Sequence, residues 1–66
     1  MKVGDVVSEA LDFGIPWEEA ERNDQTQKGR IFKRSRGMYH ILWFDTNKSS
    51  SRTDYWAKSN SVKVCL

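Results

Sequence analysis

One cysteine, one histidine and one proline occur in 66 residues, and two of these scarcities each exclude a class of protein. Cys65 has no second thiol to pair with, so no intramolecular disulfide forms. Secreted domains this small usually depend on such cross-links, so a reducing, cytoplasmic setting is expected. Structural zinc takes about four Cys or His ligands, and Cys65 and His40 are all that the chain offers. No metal or other cofactor is expected. Long apolar runs are missing too: the longest, Ile41–Phe44, falls far short of the roughly 20 residues of a membrane span. The opening Met1-Lys2-Val3-Gly4-Asp5 carries an acid and no apolar stretch, which does not read as a signal peptide. No membrane contact is expected.

Catalytic patterns are equally scarce. The chain has no Gly-rich phosphate loop and no Gly-x-Ser-x-Gly turn. Glu18 and Glu19 are adjacent, so they do not face one another across a substrate. His40 stands alone in an apolar segment, where proton transfer lacks a second group. Cys65 has only Lys63 nearby to activate it. The chain reads as a binding protein and not as an enzyme.

What the chain does have is aromatic side chains and an uneven distribution of charge. Phe13, Trp17, Phe32, Tyr39, Trp43, Phe44, Tyr55 and Trp56 bury roughly 150–250 Å² each when enclosed, enough to build one small core. At 66 residues that core serves a single domain spanning the whole chain, 1–66. Eleven cations against nine acids give a net charge of +2, too weak by itself to imply nucleic acid. The distribution is polar, however. Residues 1–24 hold seven acids against Lys2 and Arg22, a net of −5, whereas residues 25–66 hold nine cations against Asp45 and Asp54, a net of +7. Such polarity can arise by chance, and it can also place a basic face opposite an acidic one.

Along the chain, Lys2–Ser8 reads as a first strand through Val3, Val6 and Val7. Residues 9–27 form a long polar loop in which Pro16–Glu21 opens about one helical turn, with Trp17 as its anchor. Gly29–Ser35 and Met38–Asp45 flank Arg36-Gly37 as a hairpin with a tight turn. The second arm is apolar on both alternating sets, Met38, Leu42 and Phe44 against Tyr39, Ile41 and Trp43, which predicts a central strand covered on both faces. Thr46–Ser51 reads as a loop and Arg52–Ala57 as a fourth strand. Lys58–Asn60 reads as a single turn, and Ser61–Cys65 as a fifth strand. The expected fold is mostly β, a small five-stranded barrel with a long first loop and one short helical turn. Trp43 and Trp56 are expected in its core.

This order resembles the SH3-like small barrel, and in particular the short single-domain SH3-like proteins of bacteriophages. The residues that carry the likeness are Lys2-Val3-Gly4-Asp5-Val6-Val7, Lys28-Gly29-Arg30-Ile31, Tyr39–Asp45, and Asp54-Tyr55-Trp56-Ala57 leading into Val62-Lys63-Val64. The acidic segment 9–27 departs from the leanest members. The resemblance implies binding rather than catalysis, in the cytoplasm of the host cell.

Two surfaces compete as the binding site. Lys28, Arg30, Lys33, Arg34 and Arg36 place five cations in nine residues around Phe32. Strand alternation sets Lys28, Arg30, Phe32, Arg34 and Arg36 on one side and Lys33 on the other. Guanidinium groups suit phosphate oxygens, and Phe32 or Tyr55 offers a ring to a base, in DNA or RNA. The alternative is a protein partner, such as a host factor, held by Trp17, Glu18, Glu19 and Glu21 and one sheet edge. On either reading the chain is a monomer or a weak homo-oligomer.

Overall fold

The computed structural model describes residues 1–65. The chain is mostly β, with five antiparallel strands in one sheet and two short helices. In chain order these are β1 (Val6–Ala10), α1 (Trp17–Arg22), β2 (Thr26–Ser35), β3 (Met38–Trp43), β4 (Ser49–Thr53), α2 (Asp54–Ala57) and β5 (Val62–Cys65). The sheet order is β4-β3-β2-β1-β5, so the last strand returns beside the first. The β2–β3 turn is built by Arg36 (φ 54°) and Gly37 (φ 73°). Two successive positive φ values give the hairpin turn whose twist matches that of its strands.

The sheet is strongly curled. A flat sheet would hold β1 and β4 about 14 Å apart, three strand spacings. Yet Glu9 on β1 accepts hydrogen bonds from Arg52 on β4, from Nε at 3.0 Å and from Nη2 at 2.9 Å. Inside the curl lies the core of Val7, Ile31, Tyr39, Ile41, Trp43 and Trp56, with Ala57, Val62 and Val64 packed against it. Gly29 makes room for it: a Cβ there would lie 2.6 Å from the Leu42 carbonyl oxygen and 2.8 Å from the Trp43 ring. α1 covers the outside of β1. Trp17 donates from Nε1 to Ser8 Oγ at 2.9 Å, and its backbone N–H donates to Asn60 at 2.7 Å.

Four expectations are corrected. The first strand starts at Val6, because Lys2–Asp5 closes as a turn in which Asp5 accepts from the Lys2 backbone N–H. β2 begins at Thr26, since Thr26, Gln27 and Lys28 pair with Ala10, Glu9 and Ser8. Ser49–Ser51 is strand, paired to Leu42, Ile41 and His40, and not loop. Asp54–Ala57 is helix, not strand. There Thr53 accepts at Oγ1 from the Trp56 N–H, a helix-start pattern that β-prone Tyr55 and Trp56 concealed.

Candidate functional site

The outer face of the hairpin is open. β3 is buried on its inner side at Tyr39, Ile41 and Trp43, but Leu42 is 38% and Phe44 49% exposed. Cover on both faces, expected from the doubly apolar pattern, is therefore absent over this half of the sheet. α1 is six residues long and packs on β1 and the start of β2, which leaves Leu42 and Phe44 uncovered.

Register arranges the open face in three rows. Leu42 lies opposite Arg30 on β2 and opposite Ser49 on β4. Phe44 donates its backbone N–H to the Lys28 carbonyl at 2.9 Å, which continues the ladder by one outward pair. His40 lies opposite Lys33 and Ser51. Cations thus run along β2, apolar and aromatic groups along β3, and hydroxyls along β4.

A β-bulge decides which cations belong to this face. Ile31 pairs with Ile41 but Lys33 pairs with His40, so Phe32 is the extra residue. Beyond it the alternation is reversed. Lys33 joins Lys28, Arg30 and Phe32 outside, whereas Arg34 falls on the side of buried Tyr39. There the Arg34 guanidinium lies 4.0 Å from the Tyr39 ring centroid and donates to Asp54 at 2.7 Å. Strict alternation, which grouped Arg34 with Arg30 and set Lys33 opposite, is overturned at this point. Lys28, Arg30, Lys33 and Arg36 are exposed and form no ion pair among the described residues. Arg36 sits at the hairpin tip. Phe32 is 50% exposed, tilted against His40 at 6.2 Å between ring centroids. His40 is held between Ser35 Oγ at 3.4 Å and Ser51 Oγ at 3.2 Å.

The other residues singled out in the sequence lie elsewhere. Tyr55 is 77% exposed on α2, away from the open face, with its ring 6.1 Å from that of Phe13. Leu11, Phe13 and Tyr55 border a depression of about 370 Å³ whose floor includes Arg52 and Trp56. Trp17 is half-buried, and the Lys63 ammonium lies 4.6 Å from its ring centroid, so it anchors α1. Glu18, Glu19 and Glu21 are exposed on α1. Glu21, Asp24 and Asp45 border a depression shared with Lys28 and Phe44, which gives the open face an acidic margin at that end. Asp5, off the open face, has its carboxyl held below the ordinary value by the Lys2 backbone N–H, with the Lys2 ammonium adding to it.

Sequence reasoning missed Leu42 and Phe44 as surface groups, and Ser49 and Ser51 as strand. The signal that could have found them was a shortage of cover. The chain holds no second apolar helix able to lie across β3. Compared with known proteins, the chain matches no family model, no curated protein and no solved structure.

Proposed function

We propose that this chain is a small non-enzymatic binding module that contacts nucleic acid through the open outer face of the β2–β3 hairpin. One observation carries the reading: Lys28, Arg30 and Lys33 stand unpaired beside the uncovered rings of Phe32 and Phe44. Unpaired cations neutralise phosphates and release their counterions, while exposed rings offer flat apolar surface to bases. A sheet that curls to return β5 beside β1 supports the SH3-like barrel as its fold family.

Anisotropy of a labelled oligonucleotide at low salt tests this reading. Tryptophan emission is a poor probe, because Trp43 and Trp56 are 3% and 4% exposed. Arg30→Gln and Lys33→Gln are expected to weaken binding severalfold each. Arg34→Gln is expected to leave it nearly unchanged, because that guanidinium is committed to Asp54 and Tyr39. Equal losses at all three positions would instead report a diffuse response to net charge.

A second reading rests on the Leu11, Phe13 and Tyr55 surface, where three large apolar side chains are more than half exposed. A protein partner seated there would be displaced by Tyr55→Ala, and its binding would survive salt that abolishes oligonucleotide binding. This is the surface that the protein-partner reading now favours, in place of Trp17 and the α1 acids.

A further inference from the structure

Resting on the nucleic-acid reading, we infer that the open face is a platform for a short, unstacked segment of single-stranded DNA, about three nucleotides long. The phosphates follow the β2 cations and the bases lie across the β3 row. Spacing is the first argument. Successive outward residues of a strand are roughly 6.7 Å apart. Lys28, Arg30 and the bulged Phe32–Lys33 pair therefore form a short track of three cationic positions, which sets the length at about three nucleotides.

The second argument is the chemistry beside those cations. A duplex hides the faces of its bases and would present hydrated backbone to Phe32, Phe44 and Leu42, which are 50%, 49% and 38% exposed. An unstacked strand offers those faces freely, and every base has one. Beyond the apolar row, Ser49 and Ser51 stand exposed opposite Leu42 and His40, where the polar edges of bases laid across β3 arrive. Hydroxyls there serve donors and acceptors alike, so little base preference follows.

The third argument concerns the sugar, which sits between phosphate and base and therefore over the β2–β3 seam. The cross-strand pairs there are Arg30 with Leu42 and Lys28 with Phe44. Neither pair offers a side-chain acceptor to a 2′-hydroxyl, whereas the 2′-methylene of deoxyribose packs directly on the apolar side chains of Leu42 and Phe44. Deoxyribose is the better fit. The acidic margin of Glu21, Asp24 and Asp45 repels a phosphate chain at the Lys28 end and limits the length of the track.

Labelled thymidine and uridine oligomers of equal length, and a DNA duplex, are titrated against the full chain by anisotropy at low salt. The expected order is single-stranded DNA tightest, then RNA, then duplex. Phe32→Ala is expected to weaken single-strand binding about tenfold, while Phe32→Trp retains it. Melting curves of both variants show that the fold persists. A preference for duplex, or an equal loss in both Phe32 variants, overturns the platform while leaving nucleic-acid binding in place. RNA bound as tightly as DNA overturns the choice of sugar. No binding to any of the three overturns the underlying reading itself.

Discussion

Glu9 carries the heaviest load of any single side chain in the fold. It is 5% exposed, and its carboxylate accepts from Gln27, from both Arg52 nitrogens and from Trp56 Nε1. A buried carboxylate is costly unless every lone pair finds a donor, and here four donors converge from β2, β4 and α2. Glu9→Gln removes the charge but leaves Arg52 confined against the Trp43 ring at 5.3 Å. We expect a loss of about 2–4 kcal/mol in urea denaturation, at the lower end if Arg52 swings out to water. Gly29 is constrained by space and not by charge. Gly29→Ala pushes a methyl against β3 and is expected to cost about 1–3 kcal/mol, visible as a melting point lower by several degrees. Neither role was legible in the sequence. Glu9 was counted among the acids of the N-terminal segment, and its partner Arg52 lies 43 residues away.

At the scale of elements, the hairpin bulge matters most for the proposed interface. One extra residue at Phe32 exchanges the faces of Lys33 and Arg34 and so selects which cations stand on the open face. No periodicity argument could place it, because a bulge is invisible in a pattern whose outward and inward positions are both basic. The helices play different parts. α1 is held by Trp17 through Ser8 and Asn60, on the same outer face as the open rows and bordering their Lys28 end. Trp17→Ala is expected to lower stability by about 1–3 kcal/mol, the loss for a half-buried ring, with oligonucleotide affinity unchanged. Coincident loss of affinity at constant folded fraction would place the ligand on α1 instead. α2 depends on its cap, and Thr53→Ala is expected to cost about 1 kcal/mol on thermal melting.

For the whole molecule, the opposed charges of the two ends of the sequence become a spatial arrangement. α1 carries Glu18, Glu19 and Glu21 on the outside, while the hairpin carries unpaired cations beside it. On the proposed reading, a phosphate chain is attracted to one and repelled from the other, which orients it although the net charge is only +2. Three phosphate contacts on a single strand give a slope of about −2 in log K against log salt. Affinity measured from 50 to 200 mM salt is therefore expected to fall roughly 15-fold. A slope near zero would remove the cations from the interface.

The sequence alone determined the β-rich class, the hairpin with its Arg36-Gly37 turn, and the burial of Trp43 and Trp56. These rest on local turn chemistry and on the few large side chains available to build a core. It also gave the basic segment 28–36 and the acidic segment that precedes it. Which of those cations face outward, which rings remain uncovered, and which acid is drawn inside were decided by tertiary structure. All three follow from register across strands and from the curl that brings β4 over β1. Those relations join residues distant in the chain, and no local pattern encodes them.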